Sequence, residues 1–382
     1  MLPEYFDYNA TTPVDPEVAD IVYHYMVEEF GNAGSRTHEY GTRAAKAVQV
    51  ARKQVAEALD TDPEDVIFTS GATESNNLAI LGLERALTES GRTHVITSLA
   101  EHKAVLEPFE ELERRGFEVT WLHPNMDGFV PPEALQEALR HDTGLVSLMH
   151  VNNETGIIQP LEDYAAVLAD HSAYFHVDGA QGFCKDIERL RNRRIDLISI
   201  SGHKIFAPKG IGALKLRYRA GEGRVPVKPL MFGGGQERGM RPGTLATALI
   251  VGLGKAAELL AQRTQHSKAR LRTAYANALC RVRATGAIVN GNPDMALGTT
   301  LNVSFPGIDA EAIVLLLRDQ LALSTGSACT SASFAPSHVL KAMKLPSERI
   351  GSAIRISWSP LMTDDISPEV LSLLESLTEH NQ

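Results

Sequence analysis

Cysteine is scarce in this 382-residue chain: Cys184, Cys280 and Cys329 stand far apart. An odd count at such spacing excludes a disulfide scaffold and a cysteine-rich metal site, and points to a reducing compartment. Long apolar runs are also missing. The most apolar stretch, Ala312 to Leu317, is far too short to cross a bilayer. Positive charge is not in excess: 37 basic against 47 acidic residues leave −10, which offers no general surface for nucleic acid. The local cluster Arg189, Arg191, Arg193 and Arg194 reads as a wet helix-to-strand connection, and Cys184 and Cys280 as buried apolar fillers. The opening MLPEYFDYNA has neither the basic nor the apolar region of a secretory signal, so a cytoplasmic location is expected. The 13 histidines show no compact metal-ligand spacing, so a metal enzyme is disfavoured.

What is present is enough apolar residue, 43%, to fill a sizeable core, and a regular alternation of short apolar runs with amphipathic stretches. Helices are expected at about Pro16–Met26 and Gly41–Leu59. From residue 66 the pattern becomes strand, turn, helix. Strands are expected at Val66–Thr69, His94–Thr97, Glu118–Trp121, Leu145–Met149, Tyr174–Val177, Leu197–Ile200 and Ile211–Leu216. Helices are expected between them, at about Glu74–Leu87, Lys103–Arg115, Pro131–Arg140 and Leu161–His171. Such a series gives a mostly parallel, helix-covered sheet, with ligands beyond the strand C-terminal ends. A long helical region from Gly243 to about Arg283 leads to a second, smaller α/β set closed by a helix at Pro368–Glu379.

The most informative run is Ser201-Gly202-His203-Lys204, just beyond a strand apolar up to Ile200. A lone lysine there is more often simply solvated. This one has company: His176-Val177-Asp178 ends another strand at the same edge, with Gln181 three residues on. A lysine for a Schiff base and a buried aspartate to keep a pyridine nitrogen protonated are what a pyridoxal cofactor requires. Ser70-Gly71-Ala72-Thr73 supplies hydroxyls and free helix N-terminal amides for its phosphate, although a routine helix start capped by Thr73 explains the same residues. His102 and Asn153 follow two further strands, where an imidazole can shuttle protons and an amide can meet the ring or substrate. Cys329 differs from the other cysteines. Its loop, Ser324 to Ser333, is small and hydroxylated and cannot enclose a thiol in a core, so it suits carriage of a thiolate to a partner.

These runs together resemble the cysteine desulfurases of the NifS/IscS-like group, in the class V aminotransferase family. The resemblance covers nearly the whole chain. It rests on Asp7 to Pro13, Thr69 to Asn76, Glu101-His102-Lys103, His150 to Glu154, His176-Val177-Asp178, Ser201 to Lys204, Gly233 to Arg241 and the Cys329 loop. It implies an α/β fold of PLP fold type I, with a large domain holding a mostly parallel, mixed seven-stranded sheet and a smaller α/β domain. The implied division is residues 1–15 joining the small domain, 16–258 binding pyridoxal 5'-phosphate (PLP), and 259–382 carrying the cysteine loop. It also implies a homodimer that removes sulfur from L-cysteine, leaving alanine and a persulfide on Cys329. The persulfide sulfur passes to an acceptor protein of iron–sulfur cluster assembly or nucleic-acid thiolation.

By the same resemblance Lys204 holds PLP, His102 stacks on its ring and transfers protons, and Asp178 pairs with the ring nitrogen. Gln181 and Asn153 lie at the phenolic oxygen. Gly71, Ala72, Thr73, Ser201 and His203 hold the phosphate, with Thr244 reaching in from the second subunit. Arg355 takes the substrate carboxylate, with Asn153 and Asn32 nearby. Two departures stand out: Ala33 where relatives have proline, and a C-terminal end shorter than in members that dock a scaffold through their tail. A transaminase of the same fold has no use for Cys329. A catalytically silent binding protein has no use for Lys204, Asp178 and His102 together.

Overall fold

The computed structural model describes residues 2–219, 221–325 and 336–361, with backbone alone at 265–267. The chain opens with β1 (Glu4–Tyr5), α1 (Pro16–Val27), α2 (Glu39–Leu59), β2 (Val66–Thr69), α3 (Ala72–Leu81), α4 (Glu84–Glu89) and β3 (His94–Ser98). It continues through α5 (Lys103–Arg114), β4 (Glu118–Leu122), α6 (Pro132–Ala138), β5 (Thr143–Ser147), α7 (Leu161–Val167) and β6 (Tyr174–Asp178). Then come α8 (Ile187–Leu190), β7 (Leu197–Ser201), β8 (Gly212–Leu216), β9 (Tyr218–Arg219), β10 (Gly223–Arg224) and the long α9 (Thr247–Ala284). The last described elements are β11 (Ile288–Val289), β12 (Thr300–Ser304), α10 (Ala310–Leu317), β13 (Leu321–Ala322), α11 (His338–Ala342), α12 (Ser347–Gly351) and β14 (Ala353–Ser357).

Seven strands form one sheet in the order β2-β8-β7-β6-β5-β3-β4. β8 runs antiparallel to both its neighbours, and the pairs from β7 through to β4 are parallel. Alternate side chains feed opposite faces. Val66 and Phe68 of β2 and Ile198 and Ile200 of β7 enter one core, whereas Ile67 and Leu197 enter the other. Helices cover both faces, which is why these strands read as unbroken apolar runs. Among the described residues no helix is long and apolar enough to cross a membrane.

A third core gathers Phe6, Tyr275, Leu301, Ile354 and Trp358 around the antiparallel sheet β11-β12-β14. The N-terminus belongs to this region: β1 pairs in parallel with β13, and Asp7 bridges to Ser357. Helix α9 serves both regions, burying Ile250, Leu253 and Leu260 in the first core and Tyr275, Ala278 and Val282 in the third.

Several sequence expectations are corrected. The helix expected at Glu74–Leu87 is two, α3 and α4, because the Gly82 carbonyl accepts from Lys228 N–H at 2.8 Å instead of continuing the helix. The strand expected at Leu145–Met149 begins and ends two residues earlier. Leu148 and Met149 are buried beyond the strand's last residue, although Leu148 N–H still donates to the His176 carbonyl of β6 at 3.1 Å. The helix from Leu161 stops at Val167. Cys280 is exposed, because the inward face of α9 there carries Ala274, Tyr275 and Ala278. Arg194 is not a solvated connector: its guanidinium meets the buried Asp196 at 2.8 Å and three backbone carbonyls. Cys329 and the helix expected at Pro368–Glu379 lie outside the described residues.

Candidate active site

The carboxyl ends of the parallel strands converge on a cavity of about 430 Å3. From the β2–α3 junction come Gly71, Ala72 and Thr73; from the start of α5 comes His102; from the segment after β5 comes Asn153. From the end of β6 come Asp178 and Gln181, and from the end of β7 come Ser201, His203 and Lys204. All ten were expected there from sequence.

Each is placed by local backbone logic. The N-cap of α3 is Gly71, not Thr73 as a routine helix start would have it, and no side chain caps the helix. Its first amides are therefore left to face the cavity. Gly71 has φ +152, and a Cβ built there meets nothing within 4 Å, so the backbone is bare to whatever the cavity holds. Ser70 N–H donates to Glu74 at 2.7 Å, and Arg241 neutralises that carboxylate at 2.9 Å. Burial disfavours the Glu74 charge, yet the hydrogen bonds from Arg241 and Ser70 prevail and hold its carboxyl below the usual range.

Asp178 is buried, and both its oxygens are occupied: Ala180 N–H donates to one at 2.9 Å and Asn76 Nδ2 to the other at 2.7 Å. Asn76 Oδ1 is buried without a protein partner among the described residues, and Asn76 lines the cavity. Lys204 ends a 3-10 turn, Gly202–Lys204, and its ammonium donates to the carbonyls of Asn9 and of Ala10, the latter at 2.7 Å. His203 is pushed down to about 4, by burial first and then by the charges of Lys204, Lys209 and Lys185, so its ring is neutral. His102 caps α5: its Nδ1 accepts from Ala104 N–H at 3.1 Å, which puts the proton of the neutral ring on Nε2. A pyridoxal phosphate group fits this donor set: amides and hydroxyls at one end, a buried carboxylate at the other, and a primary amine between.

Three expected residues do not line the cavity. Arg355 is fully buried on β14, donating to Asp7 at 2.7 Å and to the carbonyl of cavity-lining Asn153 at 3.0 Å. It stands one residue away from the cavity. Asn32 is exposed and its Oδ1 receives Gly34 N–H at 2.8 Å. Thr244 is exposed in the loop after β10, which is pinned by a buried Arg52–Glu237 pair at 2.6 Å and by Arg241–Glu74.

Sequence reasoning missed Asn9, Ala10, Asn76 and Lys209 as cavity residues. Asn76 had a signal, since it lies one helical turn from Thr73 and so on the same face. Asn9 and Ala10 had only their place in the Asp7 to Pro13 run, because the fold alone brings the N-terminus back to β7. Glu101, beside His102, was also missed. Burial, with Asp178 adding to it, raises its carboxyl well above the ordinary range, and Met149 N–H donates to it at 2.6 Å.

The chain matches the family model of class-V aminotransferases over residues 4–366. It is 46% identical over 383 residues to the cysteine desulfurase IscS of Shewanella sp. (strain MR-4), spanning 99% of this chain and 92% of that protein. The crystal structure of DndA from Streptomyces lividans is similar with a TM-score of 0.81 and 49% identity, covering 92% of this chain and 98% of that one. A NifS-like protein of known structure gives a TM-score of 0.89 at 32% identity, covering 100% and 99%. With a mixed seven-stranded sheet of the PLP fold type I, these likenesses establish that the chain belongs to the class-V aminotransferase family and, within it, to the NifS/IscS-like cysteine desulfurases.

Proposed function

We propose that Lys204 carries PLP and that Cys329 receives the substrate sulfur as a persulfide. The chain is a PLP-dependent cysteine desulfurase, which turns L-cysteine into alanine and persulfide sulfur. The observation that carries the residue assignment is the meeting of Lys204, Asp178 and the uncapped start of α3 in one cavity.

PLP, when bound, supplies an electron sink for bonds at the substrate's α-carbon. The residues supply the rest. Asp178, held by Asn76 and Ala180, sets a carboxyl group where a ring nitrogen needs a partner for its proton. The amides of residues 72–74, Ser201 and neutral His203 bind phosphate, with Thr244 added from a second copy in a homodimer. Gln181 and Asn153 present amides to the ring's phenolic oxygen and the substrate, with Asn32 as a further substrate-binding residue. Arg355 holds the substrate carboxylate. Lys204 and His102 move protons, His102 through Nε2. Cys329 Sγ attacks the substrate sulfur: the S–S bond forms as the Cβ–S bond breaks, and that electron pair leaves with the carbon side, which is protonated to alanine.

The same reading assigns 16–258 to cofactor binding, residues 1–15 with 259–382 to the smaller domain, and the chain to the cytoplasm. The acceptor is a protein of iron–sulfur assembly or nucleic-acid thiolation. Mass spectrometry after incubation with cysteine and no reductant is the direct test. The Cys329 peptide is expected to gain one sulfur, and Cys329→Ala to lose sulfide release. Parent-rate sulfide release by Cys329→Ala would overturn the assignment.

A further inference from the structure

Behind the cavity lies a second lysine that the chemistry above does not use. Lys185 is buried, and the one hydrogen bond of its side-chain nitrogen among the described residues runs to Gln181 Oε1 at 3.3 Å. On its other side the Gln181 amide donates from Nε2 to the Asn9 carbonyl at 2.9 Å. That same carbonyl accepts from Lys204. The orientation of the Gln181 amide is forced by these partners: a protonated lysine has only donors and a backbone carbonyl only accepts, so oxygen must face Lys185 and NH2 must face Asn9. Lys185, Gln181, Asn9 and Lys204 thus form one continuous chain.

The turn that carries this chain is tightly built. Lys185 N–H donates to the Gly182 carbonyl at 3.0 Å. Cys184 sits at φ 59, in the left-handed region that ordinary side chains avoid. A Cβ at Gly182 would lie 1.8 Å from His150 Nδ1, so the turn is pressed against the segment after β5. Burying a lysine and bending the backbone of its neighbour are both costly unless they hold something in place. Burial, and then the charge on Lys204, push the Lys185 amine down to about 7; on either side of that pH it remains an N–H donor to Gln181.

We infer that Lys185 is a positioning residue of the cofactor site, which acts through Gln181 by locking its amide with the NH2 group toward Asn9 and the cavity. Without the donor at position 185, Gln181 Oε1 would be buried without a partner, and the Asn9 carbonyl alone would resist a turn of the amide that brings its oxygen to the cavity. An oxygen there repels an anionic oxygen on a ligand where an N–H attracts it. The inference rests on the reading that the cavity holds PLP on Lys204.

The test compares purified holoenzymes by PLP dissociation constant and by the visible absorption band of lysine-bound PLP. Lys185→Met is expected to weaken PLP binding by about tenfold and to shift the band. Gln181→Leu should do likewise, and the double variant should be no worse than either single one. Lys185→Gln keeps an N–H donor on a side chain one bond shorter and is expected to stay within threefold of the parent, by the same tenfold-per-1.4 kcal/mol scale. It also decides the matter should Lys185→Met not fold. An unchanged affinity and band in Lys185→Met, additive losses in the double variant, or a tenfold loss in Lys185→Gln overturn the inference. Lys204→Ala separates this from the underlying reading: if its band persists, the assignment of Lys204 fails, whereas the outcomes above concern Lys185 alone.

Discussion

At the scale of single residues, the site depends on which charges have partners before any substrate arrives. Arg355 is the clearest case: one arm is on Asp7 and another on the Asn153 carbonyl, while its Nε is buried without a partner among the described residues. A guanidinium fixed in this way is pre-oriented as a fork, which an ammonium cannot imitate. Arg355→Lys is expected to raise KM for cysteine by about tenfold with a smaller change in kcat, as steady-state kinetics will report. His176 is the opposite case, a neutral ring sealed within the sheet. Its nitrogens meet Ser147 and Ser199 at 2.7 and 2.9 Å, and burial lowers it from 6.5 to about 3. Its folded value is the depressed one, so its contribution to stability is complete above pH 6.5 and fades as pH falls toward 3. Between pH 7 and pH 5 that amounts to about 2 kcal/mol. Denaturant titrations at the two pH values should show a correspondingly smaller drop in His176→Gln.

At the scale of elements, the turn after β6 is the most exacting piece. It runs from Asp178 through Gln181 to Lys185, and it fits only because residue 182 has no side chain where His150 packs. Gly182→Ala is expected to cost about 1–3 kcal/mol in denaturant unfolding and to weaken PLP retention on dialysis. Such features mark the boundary of what sequence can tell. The strands beginning at Val66, His94, Tyr174 and Leu197 were legible because each is buried on both faces and so is largely apolar, and the partly exposed edge strand from Glu118 because it repeats their spacing. Lys204, Asp178 and His102 were legible because each follows such a run. The break at Gly82 was not, since it depends on the distant Lys228 N–H. The place of Asn9 was not, since its amide meets Asn153 and Thr300, which are far away in sequence. Arg355 was expected at the site from resemblance alone; its pairing with Asp7 is a tertiary fact.

At the scale of the whole molecule, the surface carries apolar residues that a lone copy leaves in water. Leu230, Met231 and Phe232 are consecutive and exposed, Phe232 to 91%, directly before the loop that leads to Thr244. Exposed Tyr23, Met26 and Phe30 lie at the end of α1 and just beyond it. In the proposed homodimer such a surface is covered, and Thr244 is carried to the other copy's phosphate site. Phe232→Asp is expected to shift micromolar protein toward monomer in sedimentation velocity and to weaken PLP binding in parallel.

The return of the N-terminus to the far end of the chain also sets a clock on biosynthesis. Asn9 donates to Ser357, 348 residues later, and the carbonyls of Asn9 and Ala10 hold Lys204. At ribosomal speeds of about 5–20 residues per second, Asn9 therefore waits roughly twenty to seventy seconds for Ser357 to be made. The segment around Asn9 thus completes its native contacts only after β14 has been made, so the wall it gives the cofactor cavity is fixed late.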